Sequence, residues 1–322
     1  MAALRLTSCC MRLATHNASR HAVRGFSASS LRLSAVEGVE SVSVIGAGQM
    51  GLGIALVAAR NAGLPVTLID SSQASIDKSA AFMAKLLAKD VSKSKITESE
   101  ADSIKSRITT STDIASVSTT DFVIEAVPEI VDLKLSIFKQ LSEIAKPTAV
   151  LATNTSSISI TKIAAAAGSA ADRVVSTHFM NPVPVQTGVE IISGLQTSQA
   201  TLSTALALCT AMGKIPSQSA DTPGFLANRI LMPYINEAVI CLESGIGTKE
   251  DIDAIMKNGT NVPMGPLTLA DFIGLDTCLA IMGVLYRDTG DSKYRPSVLL
   301  QRMVDAGWLG KKSGRGFYEY KK

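Results

Sequence analysis

Histidine is scarce in this chain of 322 residues: there are three, and His178 is the only one beyond residue 21. Cysteine is sparse too. Cys9 and Cys10 sit in the amino-terminal stretch, while Cys209, Cys241 and Cys278 are widely spaced and odd in number. No disulfide framework or metal-ligand spacing results, no metal is expected, and the pattern suits a reducing compartment. Long uncharged apolar runs are also missing. The best in the second half, Gly224 to Leu242, is broken by Asn228, Arg229, Pro233 and Glu237. That excludes a membrane span there and predicts a globular protein without stable membrane association.

The first 36 residues lack Asp, Glu and Lys altogether, yet carry Arg5, Arg12, Arg20, Arg24 and Arg32 among serines and alanines. This is the composition of an organelle transit peptide. Leu4, Leu6, Met11 and Leu13 alternate with the arginines, as an amphipathic helix requires, and Arg24-Gly25-Phe26-Ser27 is similar to mitochondrial processing sites. Residues 1–36 are therefore expected to be a mitochondrial transit peptide, and the matrix the location. Five of the 31 basic residues lie there, leaving 26 against 28 acidic residues, a formal charge of −2 for the remainder. Nucleic-acid binding loses its electrostatic basis.

Ordered chain is expected from about Val39. In "SVSVIGAGQMGLGIALVAARNAGLPVTLID", Ser41 to Asp70, a β-branched run (Val42 to Ile45) leads into Gly46, Gly48 and Gly51. An apolar helical stretch follows to about Ala62, with Gly63 as its stop, and Pro65 to Ile69 reads as a second buried strand. This is a βαβ unit containing a dinucleotide fingerprint. Gly46 permits the tight turn, Gly48 lets a pyrophosphate approach the backbone, and Gly51 lets helix and strand pack closely. Free amides at the helix start favour the phosphates. Asp70, 24 residues after Gly46, suits ribose hydroxyls and repels a 2′-phosphate; Ser71, Ser72 and Gln73 offer that phosphate no arginine. NAD is predicted over NADP.

Further strand-like runs lie at Asp121 to Val127, Thr148 to Ala152 and Arg173 to Thr177, separated by helical patterns. The alternation predicts an α/β fold, a Rossmann-type doubly wound parallel sheet over residues 37–219. Between Ser75 and Lys95 a helical pattern puts Lys78, Lys85, Lys89 and Lys93 on roughly one face, a solvated stripe or a seat for a phosphate-rich ligand such as coenzyme A. After Gly213 the texture changes. A turn at Asp221 to Gly224 leads into a long helix stopped at Gly245, and Thr248 with Asp251 caps another. Helical patterns continue to about Ala306, so residues 220–322 are expected to form a mostly α-helical substrate and dimerisation domain.

A nicotinamide cofactor implies hydride transfer, and oxidation of an alcohol requires a base for the hydroxyl proton. His178 follows a buried-strand pattern, at the end of a strand where ligands collect in open α/β sheets. Glu190 lies in a second strand-like run, Val189 to Ile192, which the proline-containing segment between them can turn back towards His178. A carboxylate there would fix the imidazole tautomer. "NTSSISI", Asn154 to Ile160, also follows a strand and offers hydroxyl donors or helix caps.

"VIGAGQMG", "NTSS", "HFMNPVPV", "DTPGFLANRIL", "PMGPLTLADFIGLDT" and "GWLGKKSGRGFYEY" occur in that order. Together they resemble the L-3-hydroxyacyl-CoA dehydrogenases from about Val39 to Tyr320, most of all the short-chain 3-hydroxybutyryl-CoA branch. The resemblance implies NAD-dependent oxidation of (S)-3-hydroxyacyl-CoA to 3-ketoacyl-CoA in fatty-acid metabolism, by a homodimer. It implies His178 as base, Glu190 as its orienting partner, and Ser156 and Asn228 as hydrogen-bond donors to the substrate oxygen. Asn181 would lie on the nicotinamide side, Glu129 and Lys134 of "PEIVDLK" near the NAD ribose, Lys312 near the cofactor, and Lys93 near coenzyme A.

One stretch departs from the pattern. Gln186-Thr187-Gly188 stands where the family commonly has a Met-Lys pair followed by an apolar or glycine residue, which removes a cation beside the histidine–glutamate pair. Two other readings compete: a dinucleotide-binding structural protein without turnover, and a β-hydroxyacid dehydrogenase acting on a free acid. The histidine–glutamate arrangement counts against both.

Overall fold

The structure, a computed structural model, describes residues 36–321; residues 1–35, nearly all of the expected leader, lie outside the described residues. Val36, counted with that leader, is buried and bridges to Val39, so the core takes in chain slightly ahead of the expected start.

The strands, in chain order, are β1 (Val42–Ile45), β2 (Val66–Ile69), β3 (Ile108–Ser111), β4 (Phe122–Glu125), β5 (Val150–Thr153), β6 (Val174–Phe179), β7 (Gly188–Ser193) and β8 (Ile215–Ala220). They form one sheet in the order β3-β2-β1-β4-β5-β6-β7-β8, parallel throughout except where β7 runs antiparallel to β6. The helices among and after them are α1 (Gln49–Arg60), α2 (Gln73–Ser92), α3 (Glu98–Ser106), α4 (Val131–Ile144), α5 (Ile160–Ala166) and α6 (Gln199–Ala211). Five more follow: α7 (Ala227–Glu243), α8 (Lys249–Gly259), α9 (Pro266–Ile273), α10 (Leu275–Thr289) and α11 (Val298–Asp305).

Alternate strand residues point to opposite faces, so a strand buried on both sides must be apolar at consecutive positions. Val44, Ile124, Ala152 and Val175 join one core with Ile54 of α1, Met83 of α2 and Leu208 of α6. Their neighbours Ile45, Val123, Leu151 and Val174 join the other with Phe138 of α4 and Ile163 of α5. A third core, built from α7, α9, α10 and α11 around Ile235, Leu267, Met282 and Leu300, belongs to the helical part.

Two strands carry no such run. β3 (Ile-Thr-Thr-Ser) and β8 (Ile-Pro-Ser-Gln-Ser-Ala) are the sheet edges and are largely half-buried or exposed, so polar residues serve them. Helix limits follow their caps. Arg60 ends α1 three residues before Gly63, whose φ is 67°. Thr248 accepts a hydrogen bond from the Asp251 amide at the start of α8. A capping box of Thr97 and Glu100 opens α3, and Gly290 closes α10 in the left-handed conformation.

Candidate active site

The glycine turn lies between β1 and α1. A side chain on Gly46, whose φ is 105°, would put its Cβ 2.6 Å from the Ala126 carbonyl oxygen, and one on Gly51 would collide with the Gly46 carbonyl. A Cβ on Gly48 would meet nothing within 4 Å. Gly46 and Gly51 are thus held to glycine by packing, whereas Gly48 keeps open space above the uncapped start of α1. Asp70 closes β2, and its carboxylate accepts from the amides of Ala47 (2.8 Å) and Ser72 (2.9 Å). A cavity of about 830 Å³ extends from this turn past Asp70, Asp113, Val127 and Leu133, within the range typical of small-molecule sites. No lysine or arginine among the described residues lines it, which disfavours an added phosphate. Glycine turn, free amides and ribose-ready carboxylate fit NAD.

On the neighbouring side, Glu129, expected near the NAD ribose, holds the loop after β5. Its Oε1 accepts from Thr155 Oγ1 (2.5 Å), from the Ser156 and Ser157 amides (2.8 and 3.0 Å), and from Ser157 Oγ (3.1 Å). It therefore ties the loop after β5, with Ser156, to the residues bordering the cavity. Lys134, expected as a ribose contact, has no exposed side-chain surface. Its ammonium donates to Glu125 Oε1 (2.7 Å) and the Val127 carbonyl (3.3 Å), and stands 3.5 Å from Glu129 Oε2. Any hold it has on a cofactor passes through Glu129. Glu125 is itself fully buried and accepts from Thr153 Oγ1, so this cation is paired as burial demands.

His178 and Glu190 are directly opposed in the antiparallel pair β6–β7, which is why a spacing of twelve residues brings them together. Nδ1 of His178 lies 2.8 Å from Glu190 Oε2, and both residues are buried, at 7% and 4% exposure. The other carboxylate oxygen, Oε1, accepts from the amides of Leu226 and Ala227 (2.8 Å each) at the start of α7. Burial pushes the Glu190 carboxyl up, but the bond to His178 and the two amides outweigh it and hold it below the ordinary carboxylate value. An ionised carboxylate accepts Nδ1–H, which leaves Nε2 as the ring's acceptor. Phe225 packs edge-on to the ring at 6.1 Å.

Asn228, next along α7, is buried, and its Nδ2 donates to the Ser156 carbonyl (3.3 Å). Ser156 and Asn228 thus meet, although one lies in the loop after β5 and the other in α7. Asn181 accepts from Gln49 of α1 (3.2 Å), and the Phe179 amide donates to Asn154 Oδ1 (2.9 Å), tying the segment after β6 to α1 and to the loop after β5. Asp221 accepts from the Ile160 and Thr161 amides (3.0 and 2.8 Å), fastening the connection into α7 to the start of α5. Sequence reasoning missed Phe225, the Leu226 and Ala227 amides, Gln49 and Asp221. All but Gln49 lie within "DTPGFLANRIL", a motif that marks the segment but not the main-chain donors in it.

Two candidates stand elsewhere. Lys312 pairs with both oxygens of Asp276 (2.6 and 2.7 Å) at the start of α10 and contacts no other candidate. Lys93 caps α2 and lines a groove of about 430 Å³ with Arg60, Lys89, Lys95, Pro184 and Val185, while Lys78 and Lys85 do not reach it. Only part of the expected lysine face borders this groove.

The sequence model of a family described as "3-hydroxyacyl-CoA dehydrogenase, NAD binding domain" matches residues 41–222, and that of its "C-terminal domain" matches residues 224–320. A Bacillus subtilis protein named probable 3-hydroxybutyryl-CoA dehydrogenase is 50% identical over 282 residues, 88% of this chain and 98% of that protein. The mitochondrial hydroxyacyl-coenzyme A dehydrogenase of Sus scrofa is 41% identical over 314 residues, 94% of this chain and 99% of that protein. Among solved structures, (S)-3-hydroxybutyryl-CoA dehydrogenase from Ralstonia eutropha superposes with a TM-score of 0.85 at 48% identity, over 88% of this chain and 100% of that one.

Proposed function

The chain belongs to the 3-hydroxyacyl-CoA dehydrogenase family, and from that premise we propose that it interconverts (S)-3-hydroxybutyryl-CoA and its 3-keto product with NAD, using His178 as base. The observation that carries the assignment is the buried imidazole held at Nδ1 by a carboxylate that α7 amides keep ionised. The names of the bacterial relatives support the short acyl chain.

Gly46, Gly48, Gly51, Asp70 and Glu129 would hold NAD along the glycine turn, where the nicotinamide would accept the hydride from carbon 3. The side chains do the rest. Nε2 of His178 takes the proton of the 3-hydroxyl, and Glu190 stabilises the resulting imidazolium without being protonated itself. Ser156 and Asn228 hydrogen-bond the same oxygen as it becomes a carbonyl, which fixes carbon 3 in place. Asn181 borders the nicotinamide side, and Lys93 with its groove receives phosphates of coenzyme A.

The reading is tested with acetoacetyl-CoA and NADH, followed by loss of NADH absorbance. His178→Gln is expected to lower kcat about 10²–10⁴-fold while NADH still binds; undiminished turnover would remove His178 from the role.

Two further parts of the reading concern location and assembly. The acid-free, arginine-rich leader supports import into the mitochondrial matrix, with residues 37–219 as the NAD-binding domain and 220–322 as the substrate and dimerisation domain. An apolar groove between α7 and α8, lined by Ala238, Cys241, Ile252, Ile255 and Met256, supports a homodimer through the helical part, which light scattering measures.

A further inference from the structure

Lys214 opens the way into β8 at 7% exposure and forms no ion pair among the described residues. Its Nζ donates instead to two main-chain carbonyls, those of Val183 (2.5 Å) and Gln186 (2.7 Å). Burial pulls the ammonium's pKa down, and the neighbouring Cys209 thiol, pushed up to about 12, gives it no anion. A buried cation without a carboxylate is costly, so its hydrogen bonds to the two carbonyls must offset its burial.

The two carbonyls bracket the turn that joins the strands of the histidine–glutamate pair. Within that turn the Val185 and Gln186 amides both donate to the Pro182 carbonyl (2.9 Å each). Val183 is buried against α1, so closely that a Cβ on Gly53 would lie 2.8 Å from the Val183 Cβ. Asn181, just before the turn, meets Gln49 of the same helix. Three residues before Asn181 stands His178, and four after Gln186 stands Glu190.

We propose that Lys214 is a positioning residue for the reaction: by clasping both ends of the 182–186 turn it fixes the seat of Asn181 on α1 and the approach of β6 to β7. This rests on the dehydrogenase reading above. The clasp explains the lysine. A long side chain with several donors reaches two carbonyls that face inward on a connection with no strand partner to receive them.

The test uses the full chain with Lys214→Met, Lys214→Gln and Lys214→Arg. Lys214→Met is expected to lower kcat roughly 10²-fold, the scale of a small misplacement near the chemistry. The isotope effect on kcat with C4-deuterated NADH should rise as hydride transfer becomes limiting, and Lys214→Arg, which keeps two donors, should recover most of the rate. A variant that loses thermal stability but keeps the wild-type kcat and isotope effect would overturn the proposal. Lys214→Gln replaces Lys214→Met if the latter does not fold. Should the wild type itself not turn over acetoacetyl-CoA, the dehydrogenase reading fails. The clasp is then judged by hydrogen exchange of residues 179–190, where faster exchange in the variant supports it and unchanged exchange refutes it.

Discussion

Glu190 is the residue on which the imidazole depends. Replacing it by Gln keeps size and an oxygen for the Leu226 and Ala227 amides but presents an NH₂ group to His178 Nδ1. The ring must then accept at Nδ1 and carry its proton on Nε2, so it can no longer serve as the proposed base. Glu190→Gln is accordingly expected to reduce kcat about 10²–10⁴-fold with little change in NADH affinity, as steady-state kinetics and fluorescence titration would record. The pH dependence has a definite sign. The folded pKa lies below the ordinary 4.5, so the carboxylate's contribution to stability is in place above pH 4.5 and is lost as pH falls through the folded value. The gap in Tm between wild type and Glu190→Gln should therefore be widest near neutral pH and shrink below pH 4.5. At this scale the sequence was readable where side chain meets side chain across a strand pair. The Leu226 and Ala227 amides were not readable, because a main-chain donor leaves no mark on residue identity. Lys214 was missed for the same reason, its partners being carbonyls.

Among elements, the β1–α1 unit separates packing from binding. Gly51→Ala drives a methyl into the Gly46 carbonyl and levers α1 off β1. Overpacking of this kind costs about 1–3 kcal/mol, and both Tm and NADH affinity should fall. Gly48→Ala meets no protein atom within 4 Å, so Tm should hold while NADH binding weakens. Equal loss of stability in both variants would contradict the division of labour assigned to these glycines. Interior strands such as β1, β4 and β5 were legible because burial on both faces demands consecutive apolar residues. The edge strands β3 and β8 were not, since one solvated side lets Thr, Ser and Gln stand in for Val and Ile. α2 proved to be one continuous helix; of its three lysines only Lys89 borders the groove, together with Lys93 at its C-cap.

At the scale of the molecule, the carboxy-terminal segment closes the helical part. Asp271 accepts from the Phe317 and Tyr318 amides and from Tyr320 Oη, and the single proton of Tyr318 Oη is shared between Asp253 Oδ2 (3.0 Å) and the Lys249 carbonyl (2.9 Å). Burial, reinforced by Asp253, pushes the Tyr318 phenol far up, so it remains a donor at any physiological pH. Tyr318→Phe withdraws one donor from a carboxylate that keeps those of Leu267 and Thr268. The expected cost is about 1 kcal/mol, seen as a lower Tm with NADH affinity unchanged; altered cofactor binding would mean that the tail reaches the glycine turn. The Glu190 carboxylate, meanwhile, is shared between the sheet that bears it and the helix whose opening amides it receives. A gene fragment ending near residue 222 would encode both members of the pair and still yield an idle enzyme half, because the anchor that keeps the acid charged and aimed is contributed by the other half.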